Sequence, residues 1–435
     1  MTNDRKWIES APLGWELVRF SKVFSFSRGL DIKKQDLSDY GLPVISYGQI
    51  HAKENPGVRV LKTHIRHIPE QFVKKSQLER ACLNAGDIVF ADTSEDVEGA
   101  GNMVRTTGSE SLFAGYHTLI ARPSESFRHM YMAYQMISSS WRHQLQRAVQ
   151  GVKVFSITQS MFGEVTLLKP PLKQQKRIVE YLDHKTTEID HLLYKLRRQV
   201  ELLERYRREL IAHTVTHGLD PDVPMRDSGI DWVGEIPLAW KCARAKALFF
   251  QRKEKSRQTD VHLTPSQKYG VLPQEEYIRV SGTKPVLNLS APDNMKHVDI
   301  GDFIIHLRSF QGGLELSSYV GKVSNAYTVI SGRKDVNNQY FRWLLKSPLF
   351  ISRLSTLTDQ LRDGQSISFG IFSKMFFPLP PLEEQEQIAI FLETKTTEID
   401  STISNINKQI ELLGKYRKQV INDAVTGKVR VEGTE

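Results

Sequence analysis

Two parts of the chain collect side chains that form hydrogen bonds with the edges of nucleic-acid bases. Arginine suits guanine, glutamine or asparagine suits adenine, and acidic groups suit cytosine. The candidate contact residues are Tyr47, Gln49, Thr93, Ser94, Arg105, Lys153, Arg308, Ser309, Gln311, Lys322, Gln365 and Ser366. For each of them an ordinary solvated loop is the alternative, and the acidic run at 92–98 would repel DNA. The chemistry that these residues indicate is recognition through hydrogen bonds, without a covalent step.

Signatures of catalysis are missing from the sequence. It contains no Gly-x4-Gly-Lys-Ser/Thr phosphate loop, no Asn/Asp-Pro-Pro-aromatic step and no glycine-rich nucleotide-binding loop. The spacing of Glu393 and Lys395 resembles part of a nuclease site, but Asp183 and Lys185 repeat it in the same helical frame. A lone His-x2-His pair at 64–67 is a weak metal signal. We therefore predict no catalytic residue, no metal site and no cofactor bound by this chain.

An internal repeat determines the elements that position the candidate residues. Residues 170–216 recur as 380–426 without a gap, with 21 identities in 47 positions. A Trp-x4-Pro-x2-Trp pattern precedes each copy, beginning at Trp7 and again at Trp232. A period this long indicates duplicated domains and not a solenoid. The chain is therefore a tandem duplication, and each unit is a variable stretch followed by a long helix.

Each repeated segment has the heptad spacing of a coiled-coil helix. Connectivity favours an antiparallel pair, and full overlap would set Lys185 opposite Glu411 and Lys395 opposite Glu201. Such a pair would be a rigid spacer between two similar domains. The alternative is that each apolar stripe packs on its own globular domain. The pairing positions that we predict are Lys185, Ile189, Gln199, Leu203, Tyr206, Lys395, Ile399, Gln409, Leu413 and Tyr416.

The variable stretches, 16–169 and 241–379, are predicted to be diverged copies of one mixed fold. Each has a Gly-Asp step into a strand, at Gly86 and at Gly301. The fold class is α+β, with two similar α/β domains separated by two long helices that pair as an antiparallel coiled coil. Helices are predicted at 127–147 and 337–357, and strands at 42–46, 87–90, 118–120, 302–305 and 327–330.

Composition suits a multidomain protein that binds a polyanion. The 435 residues carry a net charge of +9, while the two repeated helices carry about +3 over 172–213 and −3 over 382–424. The excess positive charge therefore lies in the variable stretches and linkers, where contacts with DNA phosphates need it. Cys82 and Cys242 lie in different halves, which argues against a disulfide framework or zinc ribbon. No signal peptide or long apolar run is present, so we expect a cytoplasmic protein.

Several motifs occur in the same order in both helices: Pro-Pro-Leu-x2-Gln-x2-Ile, Thr-Thr-Glu-Ile-Asp and Glu-Leu-Leu-x2-Tyr-Arg. With the segment Ser228–Pro237 opening the second half, the whole chain resembles the specificity subunit of Type I restriction-modification systems. The opening of the first half preserves only part of this pattern. The resemblance implies target recognition domain 1 at 1–169, helical spacer 1 at 170–217, a linker and target recognition domain 2 at 218–379, helical spacer 2 at 380–428, and a tail at 429–435.

The resemblance implies a sequence-specific DNA-binding subunit without catalytic activity of its own. Each target recognition domain would read one half of a bipartite, asymmetric site, and the helices would fix the distance between the halves. Two methyltransferase subunits would dock on the helices and bring S-adenosylmethionine for adenine-N6 methylation. Restriction subunits would add ATP- and Mg²⁺-dependent translocation and cleavage.

Two other functions remain open. A scaffold that binds RNA or protein through its two basic domains would show no DNA sequence preference. A nuclease with a dispersed active site would cleave DNA without partner subunits in a metal-dependent reaction.

Overall fold

The computed structural model describes residues 11–108, 111–124, 129–149, 154–285, 295–306, 308–358 and 367–431. The chain divides into two compact units. Unit 1 contains residues 1–196 and 408–435, and unit 2 contains residues 197–407. No helix in the described ranges is long and apolar enough to cross a membrane.

Unit 1 contains twelve short strands and four short helices among its described residues, besides parts of the two long helices. The strands are Glu16–Arg19 (β1), Phe24–Arg28 (β2), Leu42–Ile45 (β3), Arg66–Ile68 (β4), Cys82–Leu83 (β5), Ile88–Ala91 (β6), Thr93–Ser94 (β7), Met103–Arg105 (β8), Leu112–Ala114 (β9), Thr118–Pro123 (β10), Phe155–Ser156 (β11) and Thr166–Lys169 (β12). The helices are Tyr47–Ile50 (α1), Lys75–Ala81 (α2), His129–Ile137 (α3) and Ser139–Ala148 (α4). Short 3-10 helices occupy Phe20–Lys22, Lys34–Asp36, Lys62–His64, Glu70–Phe72 and Gln159–Gly163.

A central sheet with the strand order β2-β10-β6-β8 organises unit 1, and all its neighbouring strands are antiparallel. Its strand β6 is buried on both faces. Ile88 and Phe90 contribute to a core with helices α3 and α4, whereas Val89 and Ala91 face a second core. That second core belongs to the sheet β4-β3-β9-β5. Because successive side chains of a strand alternate between faces, a continuous apolar run predicts this sandwiched position.

Unit 2 repeats this plan. Its strands are Met225–Asp227 (β13), Glu235–Pro237 (β14), Lys241–Arg244 (β15), Phe249–Gln251 (β16), Leu263–Ser266 (β17), Gly270–Pro273 (β18), Lys296–Val298 (β19), Phe303–Ile305 (β20), Glu315–Leu316 (β21), Gly321–Val323 (β22), Thr328–Gly332 (β23) and Phe376–Leu379 (β24). The long helices, which contribute to both units, are Leu172–His217 (α5) and Leu382–Val425 (α12). The short helices of unit 2 are Ala245–Leu248 (α6), Gln274–Ser281 (α7), Ser309–Gly312 (α8), Asn338–Leu344 (α9), Pro348–Thr358 (α10) and Phe369–Phe372 (α11).

The shared fold is visible in the strand order β16-β23-β20-β21, which matches the central sheet of unit 1. Both Gly-Asp steps are tight turns, since Gly86 has φ 91° and Gly301 has φ 89°. An added Cβ at Gly86 would collide with the His129 ring. The carboxylate of each aspartate accepts a hydrogen bond from the backbone N–H three residues earlier. Asn84 N donates to Asp87 Oδ2, and Asp299 N donates to Asp302 Oδ2.

The single helices predicted at 127–147 and 337–357 are each two helices. The Ser138 Oγ hydroxyl donates to Gln135 O at 2.6 Å and accepts from Trp141 N, so it ends α3 and caps α4. Ser347 Oγ donates to Leu344 O at 2.8 Å, and Pro348 begins α10. Proline has no backbone N–H to donate, so it favours a new helix start over continuation.

The opening tryptophans contact the start of the long helix that follows them. Trp15 Nε1 donates to Gln174 Oε1 at 2.8 Å, and Trp240 Nε1 donates to Glu384 Oε2 at 2.8 Å. The two acceptors occupy equivalent positions of the repeat, which supports the duplication inferred from sequence. Trp7 lies outside the described residues.

The residues buried between the long helices differ in part from the predicted pairing positions. Thr186 is buried, whereas its neighbour Lys185, a predicted pairing position, is partly exposed. The Thr186 hydroxyl donates to Leu182 O at 2.7 Å, so its burial leaves no unpaired hydroxyl. Ile189 and Ile399 are buried, and Leu203 and Leu413 are half-buried, as a pairing role requires. The exposed members of the predicted set are Gln199, Tyr206, Gln409 and Tyr416.

The predicted helix register was wrong. Lys185 pairs with Glu188 at 3.0 Å and Glu411 pairs with Lys415 at 2.6 Å, both within their own helices. Likewise Lys395 pairs with Glu398 at 2.9 Å and not with Glu201. The proposed register assumed that the helices overlap from end to end. The observed pairs between helices correspond to a shift of about three turns.

At their ends the long helices pack on the globular domains, which was the alternative to pairing with each other. Leu182 of α5 and Val425 of α12 both lie in the core of unit 1, while Val215 and Leu392 lie in the core of unit 2. Tyr131 OH donates to Val425 O at 3.4 Å, and Tyr340 OH donates to Val215 O at 2.9 Å. Each domain therefore holds the beginning of one long helix and the end of the other.

Candidate nucleic-acid interface

Three of the predicted contact residues in unit 1 line one open groove, which we call groove 1. The groove has a volume of about 780 Å³. It lies where β6 ends and β10 begins, since Asp92 N donates to His117 O at 3.1 Å at this edge. Its lining residues are Lys34, Leu37, Tyr47, Gly48, Gln49, Arg66, Thr93, Glu95, Tyr116, His117 and Val154.

The polar groups of groove 1 include both donors and acceptors. Burial, with the nearby charges of Glu95 and Asp96, raises the pKa of Tyr47, so its phenol keeps its proton and can donate. Gln49 Oε1 accepts from Ser46 N at 3.1 Å, which caps helix α1 and fixes this side chain. Lys34 and Arg66 supply positive charge at the groove wall.

A chain of hydrogen bonds positions Thr93 at the groove. Arg142 donates to Asn102 Oδ1 at 2.8 Å, and Asn102 Nδ2 lies 2.9 Å from His51 Nδ1. His51 Nε2 in turn lies 2.9 Å from Thr93 O. Because Arg142 orients the Asn102 amide, Nδ1 of His51 accepts and Nε2 donates. The backbone of Thr93 is thereby tied to helix α4 through side chains alone.

In unit 2 the corresponding sheet edge carries different side chains. His306 directly follows β20, and Tyr327 directly precedes β23, with their ring centroids 6.4 Å apart. Arg308 and Gln311 are exposed beside this edge. The Arg308 carbonyl accepts from Gln267 Nε2 at 2.7 Å, which holds the backbone there. We call the exposed residues Arg308 and Gln311, with Tyr327, surface 2.

His306 supports surface 2 as a neutral ring. Burial, reinforced by the charges of Lys346 and Arg308, lowers the pKa of His306 to about 4. Its Nδ1 accepts from Arg308 N at 3.2 Å. The unprotonated ring therefore fixes the backbone of the exposed arginine at neutral pH.

Unit 2 also contains a separate cavity of about 670 Å³ with four basic side chains in its wall. Most of these side chains are paired with carboxylates, so the cavity is poorly suited to an anion. Arg207 pairs with Asp400, Arg342 with Glu393 and Lys346 with Glu315. Of the four, Lys268 lies over the ring of Tyr269 at 5.0 Å. The charges of this cavity are therefore largely neutralised by neighbouring carboxylates.

Four predicted contact residues occupy other places. Ser94 and Ser309 are buried, and Ser309 Oγ accepts from His306 N at 2.9 Å. The Arg105 guanidinium donates to Val58 O at 3.0 Å and to Thr106 O, so carbonyl groups hold it away from groove 1. Lys322 lies in β22, paired with β19. Three further candidates, Lys153, Gln365 and Ser366, lie outside the described residues.

Sequence reasoning missed the residues that complete groove 1. Tyr116 and His117 precede a strand directly, a position that could have been noticed beside the predicted strand at 118–120. Lys34 and Arg66 come from distant parts of the chain. No local pattern distinguishes these two cations from other surface cations.

The chain as a whole is similar to proteins of a known family. A family model described as the Type I restriction modification DNA specificity domain matches residues 12–202 and 247–412. The chain belongs to this family. The predicted family is confirmed, and with it the role in DNA recognition and the assignment as a non-catalytic subunit of a Type I restriction-modification enzyme.

Relatives in the specificity-subunit family are similar along nearly their whole length. A putative type I restriction enzyme MjaX specificity subunit of Methanocaldococcus jannaschii is 23% identical over 437 residues, covering 98% of this chain and 96% of the relative. The EcoKI specificity subunit of Escherichia coli K12 is 20% identical, covering 97% and 90% respectively. Relatives this distant share the architecture, but the bases that they recognise cannot be assigned to this chain.

Solved structures support the same fold for this specificity subunit. One chain, from work on complex assembly and conformational transition of the type I R-M system, has a TM-score of 0.68 at 16% identity. It covers 97% of this chain and 100% of that one. The HsdS subunit of Thermoanaerobacter tengcongensis has a TM-score of 0.51 at 16% identity, covering 96% and 98%. The α+β fold with paired long helices is therefore confirmed.

Exposed positions on the long helices of the specificity subunit recur in both copies. Tyr206 is 53% exposed and Tyr416 is 52% exposed. Leu202 and Leu412, one turn earlier, are also exposed. An aromatic and an aliphatic side chain at this spacing form a small apolar patch on the helix surface. All four side chains are exposed although the helices are paired, so the pairing leaves both patches accessible.

Proposed function

We propose that the specificity subunit reads a bipartite, asymmetric DNA site, with groove 1 on one half and surface 2 on the other. The observation that carries this proposal is that the units share one sheet topology but present different side chains at the same edge. A shared fold would approach each half-site in the same way. Different side chains would then read different bases, so the two halves would not be palindromic copies.

Affinity and sequence preference would come from different groups. Lys34 and Arg66 of groove 1 and Arg308 of surface 2 are exposed cations suited to phosphates or, for arginine, to guanine. Tyr47, Gln49 and Thr93 carry the directional hydrogen-bonding groups of groove 1. Since phosphate contacts carry no sequence information directly, these three polar residues are the proposed determinants of the first half-site.

Two methyltransferase subunits are the proposed partners of the long helices, together with restriction subunits in the complete complex. The recurrence of the exposed Leu202–Tyr206 and Leu412–Tyr416 patches supports two equivalent docking sites. Lys185, Gln199, Lys395 and Gln409 are at least partly exposed and are further candidates for these contacts. S-adenosylmethionine, ATP and Mg²⁺ would be bound by the partner subunits.

Mapping of N6-methyladenine in the source genome tests this function. One split, asymmetric motif should be methylated when the gene is present and should disappear on its deletion. Replacement of Tyr206 and Tyr416 by alanine should weaken capture of the methyltransferase subunit, whereas Tyr194→Ala, at another exposed helix position, should not. A methylation pattern that is unchanged by deletion, in a strain whose partner subunits are expressed, would contradict the proposal.

A further inference from the structure

The turn that precedes β10 contains an unusual backbone conformation. His117 has φ 52°, and no other non-glycine residue of the described ranges has a positive φ. This left-handed conformation is disfavoured for a residue with a Cβ. Burial does not explain the choice of residue, because the His117 side chain is 60% exposed. A strained, exposed residue at a recognition surface is a candidate for a functional contact.

Asp92 holds the imidazole of His117 in place. The His117 Nδ1 atom lies 3.2 Å from Asp92 Oδ1, and the backbone N–H of Asp92 donates to His117 O at 3.1 Å. The two residues are thus joined by a side-chain contact and a backbone contact across the sheet edge. A neutral ring that donates Nδ1–H to this carboxylate presents the lone pair of Nε2 to the groove.

Aromatic neighbours surround the His117 ring. The Tyr116 ring centroid lies 5.9 Å away at an interplanar angle of 82°, and the Tyr47 centroid lies 6.3 Å away at 69°. The ring is therefore oriented by two tyrosines and one carboxylate before any ligand arrives. Orientation of this kind reduces the entropy that a base contact would otherwise cost.

We propose that His117, positioned by Asp92, is a specificity-determining residue that reads one base pair of the first half-site. Its Nε2 accepts a hydrogen bond from the exocyclic amino group of adenine or cytosine in the major groove. This assignment rests on the proposed function of groove 1. It adds to that function a named residue, a supporting residue and the class of chemical group that is recognised.

Unit 2 provides an internal comparison. At the matching edge of its central sheet, His306 is buried and faces Tyr327. By strand order, Tyr327, which precedes β23, takes the place of His117, and His306, which follows β20, takes the place of Asp92. The two units therefore differ in chemistry at an edge where their strand order agrees. Such a difference is expected of positions that read different bases.

Methylation mapping with the complete complex tests the assignment. Glycine adopts φ 52° without strain, so His117→Gly removes the ring but preserves the turn. We expect one position of the first half-site to become degenerate, while the second half-site and the spacing stay unchanged. Asp92→Ala should relax the same position, and the double variant should add nothing further. His143→Ala, at an exposed histidine on α4, is the matched control and should leave the motif unchanged.

The assignment would be overturned if His117→Gly left the motif unchanged, or if the Asp92 and His117 variants relaxed different positions. Either outcome would leave the proposed function intact. Absence of any gene-dependent motif for the wild type would instead contradict the proposed function, and this assignment with it.

Binding to modified duplexes tests the recognised group. At the relaxed position, purine would replace adenine, or 2-pyrimidinone would replace cytosine, so that only the amino group is lost. The wild-type complex should bind this duplex about fivefold more weakly, the effect of one hydrogen bond. The His117→Gly complex should bind both duplexes equally. Equal weakening of both complexes would overturn the proposed contact.

Discussion

Arg417 of helix α12 donates from Nε to Oδ1 of Asp190 in helix α5 at 2.8 Å. In unit 2 the equivalent residues repeat this contact, since Arg207 Nε lies 2.9 Å from Asp400 Oδ1. Both contacts join the two long helices in an antiparallel register. The repeat of sequence is therefore also a repeat of this contact between the two helices, once within each unit.

Removal of this ion pair should weaken the fold modestly. A double-mutant cycle with Arg417→Met and Asp190→Asn should give a coupling energy of about 0.5–1 kcal/mol, because Asp190 is 45% exposed and solvent screens the attraction. Urea unfolding measures this coupling energy, and 0.5 M salt should reduce it. Lys418→Met, beside Arg417 but exposed, is the control and should be nearly neutral. A coupling energy of zero would contradict a stabilising contribution from this ion pair.

The stability of the protein should depend on pH through His306. Its pKa of about 4 in the fold is below the value of about 6.5 for an unfolded histidine. Between these values the unfolded chain binds more protons, so stability falls as pH decreases through this window and is fully present above about pH 6.5. Lowering the pH from 7.5 to 5 should cost about 2 kcal/mol from this residue.

The comparison with His306→Asn isolates the contribution of this histidine. Asparagine does not titrate, so the loss of stability between pH 7.5 and pH 5 should be smaller in the variant by that amount. Thermal or urea unfolding at both pH values provides the measurement. Parallel pH profiles for the two proteins would mean that His306 titrates normally in the fold.

Lys34 and Arg66 should contribute to affinity without contributing to sequence preference. Each phosphate contact that is lost should reduce the slope of log K against log salt concentration by about one unit. Lys34→Ala and Arg66→Ala should each show this change while the methylated motif stays the same. Lys22→Ala, an exposed cation outside groove 1, should keep the wild-type slope. Relaxation of a motif position by either groove variant would show instead that the side chain contacts a base.

Much of the architecture was predictable because the duplication is visible in the sequence. The two long helices follow from the repeated heptad pattern, and the central strands and the Gly-Asp turns follow from short local patterns, whereas the breaks at Ser138 and Ser347 were missed. The register of the long helices was not predictable in this way. Heptad spacing identifies an apolar stripe, but the observed overlap depends on Leu182 and Val425 packing into a globular core, which no helical pattern encodes.

The candidate site was only partly predictable for a similar reason. Tyr47, Gln49 and Thr93 were identified by residue type, and they do line one groove. Arg105 has the same chemical character, yet the Val58 carbonyl holds it elsewhere. Lys34 joins the groove from the 3-10 helix Lys34–Asp36. Which polar residues converge depends on tertiary contacts, and a single sequence does not reveal them for a divergent domain.

Methylation mapping with one variant in each unit tests the central claim most directly. Gln49→Ala changes groove 1 and Arg308→Ala changes surface 2, in otherwise identical complexes with the methyltransferase subunits. Recognition of one half-site by each unit predicts that Gln49→Ala relaxes only one half of the methylated motif and Arg308→Ala only the other, with the spacing preserved. Relaxation of both halves by either single variant, or of the same half by both, would contradict it.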